Sequence, residues 1–358
     1  MNACITVITA ITAWVPKAIP LSGSGARDST KRMASNSAWS AWMRSWEPDY
    51  GSPARRIHPR EDLSPSRAEH ADRLTHDPTY WVPVESETDL SGLAAKVTRA
   101  ICSARAHSAR PIDVVMFCHS SPEEHMSTTT AARLRAEIGA PCFPFSLSQQ
   151  HGVSPFTALQ LAGDLLTAEA EIHTILLVAA EKWCPPFSRR WQTGLLHGDA
   201  AGALLLERAA AHSPAGVRLL GAASWRALFD PARDASETHD ASTHAWRSLI
   251  DAFIARHGLA HGDIAEMVGP RRRSSLTAAP CNLRGQPKRS AQQGMRIHLG
   301  AAEPIVRLER LLTRAPAYPS RRVLLWGDGV GGFLGAALLQ MPGASHSRRL
   351  TVSARGAS

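Results

Sequence analysis

The amino-acid sequence predicts an α/β fold assembled from two similar halves. One of three observations behind this prediction is the composition, because 44% hydrophobic and 20% charged residues are typical of a globular chain that buries a core. Segments with helical periodicity also alternate with short apolar runs, as expected for a largely parallel sheet covered by helices. Finally, the order of these segments, with several of their residues, occurs twice within the 358 residues.

The first half opens with a strand and continues as helices and further strands. The β-branched segment from Ile5 to Trp14 predicts a buried strand, which the prolines at positions 16 and 20 end. From Ser22 to about Ser86 the chain is rich in Ser, Arg, His and Pro, and we expect short helices and surface loops there. The later segments predict helices over 90–106, 128–138 and 153–168, and strands over 112–117, 174–180 and 202–207.

The second half repeats this order. Its segments predict helices over 243–257 and within 297–312, and strands over 264–268, 322–326 and 335–341. Equivalent residues lie at similar offsets, which are 150 for Asp113 and Asp263, 147 for His151 and His298, 148 for Leu176 and Leu324, and 133 for Gly202 and Gly335. The last offset is shorter because a surface insertion from Pro185 to Gly194 lengthens the first half. The alternative is chance similarity between strings rich in Ala, Gly and Leu.

These boundaries divide the chain into two halves and a tail. Residues 1–210 form the N-terminal half, which contains the irregular Trp- and Arg-rich insertion at about 22–86, and residues 211–344 form the C-terminal half. Residues 345–358 are basic, and we expect them to be disordered.

Charge and cysteine usage restrict the class of partner. The net charge of +9 favours acidic partners such as nucleic acid, phosphate-bearing cofactors, acidic carrier proteins or anionic membranes. No nucleic-acid-binding motif is present, and no apolar run is long enough to cross a bilayer. The six cysteines form no C-x-x-C pair, so we expect no metal site and a reducing, cytoplasmic location.

Several motifs, taken together and in order, resemble one enzyme family. These are the opening strand Ile5 to Pro16, the segment Pro111 to Val115, the turn and helix Phe145 to Leu159, the glycine turn His197 to Ala203, and the closing segment Val323 to Leu339. They are similar to the thiolase-fold condensing enzymes of the ketoacyl-ACP synthase III type. The resemblance implies a thiolase-like fold, in which the duplicated α/β halves form five layers in the order αβαβα.

The family's chemistry implies a nucleophile at the start of the first central helix. In that family a cysteine thiolate at a helix N-terminus accepts the acyl group, a malonyl group is decarboxylated, and the carbanion attacks the acyl thioester. The equivalent position here is His151 or Gly152, so the cysteine is missing. Cys118 and Cys142 lie on other segments, where a buried, small apolar side chain is the commoner role.

The family's two hydrogen-bond donors for the enolate are also altered. Where the family has Pro-His-Gln, this chain has Gly269, Pro270 and then Arg271, which is always charged and cannot exchange protons. His298 opens a segment similar to the helix entry of the two-histidine condensing enzymes, and we predict it to be an oxyanion donor. The alternative is a histidine that only caps or packs at a helix start.

Three functions remain open from the sequence. The first is acyl transfer from a thioester to an amine or hydroxyl, with His151 as general base. The second is malonyl decarboxylation, with Gln150 as an oxyanion donor beside His298. The third is a catalytically inactive subunit that completes a heterodimeric condensing enzyme.

The implied partners follow from the same resemblance. Coenzyme A enters as a thioester substrate rather than as a bound cofactor, and an acyl carrier protein is the alternative donor. Arg271, Arg272 and Arg273 are predicted to contact coenzyme A phosphates or the carrier, and Trp42 to contact the adenine. Solvated arginines and a buried tryptophan face are the alternatives. We expect a homodimer or a heterodimer with a related condensing subunit, and no nucleic-acid or membrane partner.

Overall fold

The structure is a computed structural model of the whole chain. It describes residues 4–21 and 80–343, with gaps at 107, 125–126, 185–186, 188, 192–194, 211–215, 227–234, 271–295, 315–319 and 330–332.

One continuous mixed sheet runs through both halves of the molecule, and within the described residues it contains nine strands. In chain order they are β1 (Cys4–Trp14), β4 (Val114–Cys118), β5 (Phe143–Leu147), β6 (Thr174–Glu181), β9 (Ala200–Ala210), β10 (Val217–Arg226), β11 (Glu266–Val268), β13 (Arg322–Gly329) and β14 (Phe333–Gln340). Their order across the sheet is β11-β13-β14-β10-β1-β9-β6-β4-β5.

The remaining described strands form two small sheets. One pairs β2 (Ala18–Leu21) with β3 (Tyr80–Pro83), and the other has the order β12-β8-β7, where β7 is Arg190–Trp191, β8 is Leu195–His197 and β12 is Arg296–His298. The described α-helices are α1 (Leu90–Ala104), α2 (Thr130–Ile138), α3 (Ser154–Ala168), α4 (Ala235–Arg256) and α5 (Glu303–Arg314).

Strand pairing shows that the two halves are equivalent. In the first half β4 and β6 are parallel, β6 and β9 are antiparallel, and β9 and β1 are antiparallel. In the second half β11, β13, β14 and β10 repeat the same pairings in the same order. The predicted duplication is therefore confirmed, and the residue pairs Leu176/Leu324 and Gly202/Gly335 lie on equivalent strands.

The buried side chains divide the molecule into five layers. Helices α1 and α2 pack on one face of the first-half strands, through residues such as Leu93, Leu134 and Phe117. Helices α3 and α5 fill the centre, where Phe156 and Ile305 contact strands of both halves. Helix α4 covers the outer face of the second half through Trp246 and its neighbours. Successive side chains of a strand point to opposite faces of the sheet, so each strand packs against the central helices on one face and the outer helices on the other. The predicted αβαβα arrangement is thereby confirmed.

Most predicted elements are present, and the exceptions have physical reasons. Strands β5 and β10 were missed, because Pro144 in β5 is tolerated only at a sheet edge and β10 contains small residues with weak strand propensity. Helix α4 begins at Ala235, earlier than the predicted residue 243. The prolines do end β1, but Pro20 then lies in β2, a short strand that pairs only with β3.

The predicted insertion is described only at its end. Residues 22–79 lie outside the described residues, and the expectation of loops and short helices is wrong for Tyr80–Pro83, which is strand β3. The division of the chain at residues 210 and 344 stays a prediction, as does the state of the tail.

Removing the central aromatic ring should destabilise the fold. Phe156 is fully buried, and its ring lies against the backbone of Gly327 and Gly335. We expect Phe156→Ala to lower the free energy of unfolding by about 3 to 5 kcal/mol, measured by urea denaturation. Phe143→Ala is the matched control, because Phe143 is 67% exposed and its loss should change stability by no more than about 0.5 kcal/mol. Equal effects of the two substitutions would contradict the described core.

Candidate active site

The turn before helix α3 holds the backbone in an uncommon conformation. Gln149 and His151 have φ values of 66° and 48°, a region that residues other than glycine rarely adopt. A short 3₁₀ turn, His151–Val153, then leads into α3, and the Val153 N–H donates to the Gln150 carbonyl at 3.0 Å. Such strain persists only where surrounding contacts enforce it.

Those contacts come from the end of strand β13. A side chain at Gly329 would place its Cβ 2.6 Å from the Gln150 carbonyl oxygen, and one at Gly327 would place its Cβ 3.0 Å from the Gly152 carbonyl oxygen. Both positions therefore require glycine, so that the backbone of the second half can approach the turn of the first half closely.

His298 lies directly opposite this turn. A Cβ at Gly152 would lie 3.2 Å from His298 Cε1 and 3.3 Å from His298 Nε2. His298 ends strand β12 and precedes the 3₁₀ turn Gly300–Ala302, which leads into α5. The starts of the two central helices therefore face each other, and the residues that bring them together belong to opposite halves.

The hydrogen bonds of His298 fix its tautomer. Its Nδ1 accepts the backbone N–H of Gly300 at 2.7 Å, so in the neutral ring this nitrogen carries a lone pair and Nε2 carries the hydrogen. Nε2 lies 3.4 Å from the Asp328 carbonyl oxygen and on the side of Gly152. In this tautomer the Nε2–H donates to the Asp328 carbonyl oxygen of β13, beside Gly152, so His298 is a hydrogen-bond donor rather than a base.

Three consecutive backbone N–H groups at this helix start have three different acceptors. Besides the Gly300 bond, the Leu299 N–H donates to Glu303 Oε2 at 3.3 Å and the Ala301 N–H donates to Glu181 Oε1 at 2.9 Å. The Glu303 carboxylate also pairs with Arg307 one turn later. The donors that a helix start leaves unsatisfied are thereby used to orient His298 and two carboxylates.

A third histidine, which sequence reasoning missed as a site residue, lies beside His298. His197 on β8 pairs in register with His298 on β12, and the centroids of the two rings are 6.1 Å apart. On its other side His197 stacks on the Trp183 indole at 4.2 Å. The signal was present in the sequence, because His197 occupies the position where the resembling family has phenylalanine before the Gly-Asp turn.

A buried ion pair holds the backbone next to His197. The Asp199 carboxylate is fully buried and accepts two hydrogen bonds from Arg189, at 2.6 and 2.8 Å, and one from the Trp183 N–H at 3.0 Å. The Arg189 guanidinium also donates to the His197 carbonyl at 3.2 Å. This bidentate geometry is the strong form of a charge-assisted pair and fixes the turn that carries the third histidine.

Burial keeps two of the three imidazoles neutral. The pKa of His197 is lowered to about 3, first because burial penalises the charged ring and then because His298 lies close by. The pKa of His151 is lowered for the same two reasons, in the same order. At neutral pH both rings are therefore uncharged, which leaves a nitrogen lone pair on each.

The other predicted site residues are placed differently. The side-chain oxygen of Gln150 accepts a hydrogen bond from Thr157 at 2.6 Å, and Thr157 in turn contacts Ser224 of β10. The Gln150 amide oxygen is thus held by a side chain of α3. The role of Gln150 as an oxyanion donor stays a prediction. Arg271, Arg272, Arg273 and Trp42 lie outside the described residues.

The four cysteines whose side chains are described, Cys102, Cys118, Cys142 and Cys184, are not activated as nucleophiles. The turn Gln149–Val153 contains no cysteine. Burial raises the pKa of the thiols of Cys102, Cys118, Cys142 and Cys184, and the Glu181 carboxylate raises that of Cys118 further. A raised pKa disfavours the thiolate, which is the reactive form.

The part of the chain that the structure describes lacks two further features. There, no group of three or more His, Cys, Asp or Glu side chains has the arrangement of a metal site. None of the helices in this part combines the length and the apolar character that a membrane span requires.

Several solved structures have the same architecture. The fold superposes on ChlB3, described as an acyltransferase, with a TM-score of 0.64 and 18% identity over 95% of this chain and 98% of that chain. It also superposes on 3-oxoacyl-(acyl carrier protein) synthase III, FabH, from Pseudomonas aeruginosa, with a TM-score of 0.61 and 17% identity over 95% and 99% of the two chains. OleA from Xanthomonas campestris superposes with a TM-score of 0.62 and 14% identity, over 94% of this chain and 98% of that chain.

The chain therefore has the thiolase-like fold. Within that fold, its structural neighbours are condensing enzymes and an acyltransferase. No protein-family model and no curated protein matches the sequence. At 13 to 18% identity the likeness concerns the fold, and the chemistry of the site has to be argued from the residues described above.

The described thiols should resist alkylation in the native protein. Because the pKa of each of the four is raised, we expect iodoacetamide at neutral pH to label Cys102, Cys118, Cys142 and Cys184 far more slowly than it labels them in urea. Peptide mass mapping after timed labelling measures each site separately. Rapid native labelling of any one of the four would identify an activated thiol and contradict this description.

Proposed function

We propose that this protein transfers an acyl group from a thioester to a hydroxyl or amine acceptor, without a cysteine acyl-enzyme. His151 is the general base and the Nε2–H of His298 is the oxyanion donor. The observation that carries the proposal is the turn at residues 149–153, which holds a neutral histidine against a histidine fixed as a hydrogen-bond donor.

In the proposed reaction, the proton that His151 takes from the acceptor is returned to the leaving thiolate. His151 removes the proton from the acceptor O–H or N–H, and the freed electron pair forms a bond to the thioester carbonyl carbon. His298 donates a hydrogen bond to the carbonyl oxygen while negative charge develops on it. When the intermediate collapses, the C–S bond breaks, and the leaving thiolate takes the proton back from His151. The products are an ester or amide and a free thiol.

The fold and the charge support a thioester donor. One structural neighbour is described as an acyltransferase and another as a 3-oxoacyl-(acyl carrier protein) synthase. The net charge of +9 suits an acidic carrier protein or the phosphates of coenzyme A. In this proposal coenzyme A or the carrier is a substrate, and the protein acts as a homodimer or with a related condensing subunit.

Replacing the proposed base should slow transfer strongly and leave thioester binding intact. With acyl-coenzyme A and a panel of hydroxyl and amine acceptors, we expect His151→Ala to lower kcat by roughly 100-fold or more, since general-base catalysis contributes about 10² to 10⁴. The expected KM for the thioester is unchanged. Thiol release, followed with a thiol reagent, and mass spectrometry of the acylated acceptor measure the reaction.

The other two functions give different results in the same assay. Carbon dioxide release from malonyl-coenzyme A, unaffected by His151→Ala, would replace the proposal with decarboxylation. Absence of both activities, together with co-purification of a cysteine-bearing homologue, would support the inactive partner subunit. A covalent acyl group retained on the denatured wild-type chain would contradict direct transfer.

The pH dependence should reflect a base with a lowered pKa. Because burial and His298 lower the pKa of His151, the neutral base persists into mildly acidic solution. We expect kcat/KM to stay constant from about pH 8 down through the usual histidine pKa of about 6.5, and to fall only below it.

A stability measurement is needed at each pH of this profile. His197 is also held neutral in the folded state, so the unfolded chain binds a proton below about pH 6.5 that the folded chain does not, and stability declines as the pH falls from there toward about 3. Urea denaturation at each pH separates this effect from loss of the base. An acid limb centred at or above the ordinary histidine value, in fully folded protein, would contradict the assignment of His151.

A further inference from the structure

A buried carboxylate joins the two halves next to the candidate site. Glu181 ends strand β6 and has no exposed surface. Its Oε1 accepts the N–H of Ala301 from the second half at 2.9 Å, and its Oε2 accepts the N–H of Ser121 from the first half at 2.7 Å. One side chain therefore connects a central strand, the loop after β4 and the start of the second central helix.

The turn at Gly300 is shaped around this carboxylate. Gly300 has a φ of +54°, and a Cβ there would lie 2.2 Å from Glu181 Cγ and 2.4 Å from Glu181 Cδ. Only glycine combines that backbone conformation with so close an approach. The position of the Gly300 peptide is thus set by Glu181 on one side and by the Ala301 hydrogen bond on the other.

We infer that Glu181 is a positioning residue, which holds the Gly300 N–H on Nδ1 of His298 and so keeps the hydrogen of this imidazole on Nε2. Three contacts carry the inference in sequence: Glu181 to Ala301, Glu181 against Gly300, and Gly300 to His298. Glu181 is not expected to contact the substrate. It acts on His298 through the turn Gly300–Ala302.

A second carboxylate, that of Glu303, favours the other tautomer of His298. Glu303 Oε2 lies only 3.6 Å from Nδ1 of His298. If the Gly300 N–H moved away, the other tautomer would gain a hydrogen bond from Nδ1–H to Glu303, and Nε2 would become an acceptor. The Gly300 N–H at Nδ1 and the Asp328 carbonyl oxygen at Nε2 therefore favour hydrogen on Nε2, and Glu303 favours hydrogen on Nδ1.

The chemistry of the carboxylate explains why an amide would not substitute for it. An ionised carboxylate offers acceptors to both backbone N–H groups, whereas Gln has one acceptor oxygen and a donor NH₂ group. In Glu181→Gln one of the two N–H groups would face another donor. Burial raises the pKa of Glu181, while hydrogen bonds from Ala301 and Ser121 and the nearby His119 ring oppose that effect.

The tautomer can be measured without turnover. In full-length protein labelled with ¹⁵N-histidine, the two ring nitrogens have well-separated chemical shifts when one is protonated and the other is not. At about pH 8 we expect His298 of the wild type, assigned by the missing signal in His298→Gln, to show hydrogen on Nε2 alone. In Glu181→Gln we expect a mixture of the two tautomers.

The activity readout rests on the proposed acyl transfer and is kept separate. Glu181→Gln should lower kcat by about 10-fold, up to the roughly 100-fold that loss of one oxyanion donor costs, with KM for the thioester unchanged. The second substitution Glu303→Gln, added to Glu181→Gln, should recover part of kcat, because it weakens the acceptor that stabilises the wrong tautomer. A merely structural role of Glu181 predicts no such recovery.

Asp113→Asn is the matched control. The Asp113 carboxylate also accepts two backbone N–H bonds, from His173 and Thr174 at 2.8 and 2.9 Å, at the opposite end of the same strand β6. We expect this substitution to leave the His298 tautomer and kcat unchanged, even if it lowers the melting temperature.

The outcomes separate the inference from the proposed function. Hydrogen on Nδ1 in the wild type would overturn the inference at once, and this measurement does not require the variant to fold. A folded Glu181→Gln protein with the wild-type tautomer would also overturn it. A tautomer shift in a protein that shows no acyl transfer would support the inference while contradicting the proposed function.

Discussion

The structure depends on one close contact, where the backbone of the second half meets the turn of the first half at the start of helix α3. Glycine at positions 152, 327 and 329 allows this approach, because an added Cβ would lie 2.6 to 3.0 Å from a backbone carbonyl oxygen of the other half. This approach holds His151 in its positive φ and puts His298 opposite the turn. The geometry of the site depends on these two helix starts facing each other.

The contact also sets the electrostatics of the site. Packing two histidine-bearing segments together, with His197 stacked on Trp183 beside them, places several imidazoles in an environment where water is scarce. Burial disfavours a charged ring, and each neighbouring ring that takes a proton disfavours a second charge. The rings of His151 and His197 therefore stay neutral.

Buried carboxylates hold the backbone that carries the histidines. Glu181 and Glu303 each accept an N–H from the segment 299–301, and the N–H between those two reaches His298. Buried carboxylates are costly unless their acceptors are satisfied, and here backbone donors at a helix start satisfy them. The Asp199 carboxylate serves the same purpose for the turn that carries His197, with Arg189 as its partner.

The sequence by itself determined the duplicated α/β fold, since the period of apolar residues and the order of glycine turns are local properties that survive without coordinates. It also indicated that His151 or Gly152 stands where the resembling family has its thiol, and that His151 and His298 are equivalent residues. The edge strand β5, the strand β10, the placement of His197 beside His298, and the tautomer of His298 were decided only by tertiary structure. The physical reason is that each depends on contacts between residues far apart in the chain: strand β10 forms between β1 and β14, and the Nδ1 of His298 is held by a turn that packs on Glu181, 119 positions earlier than Gly300.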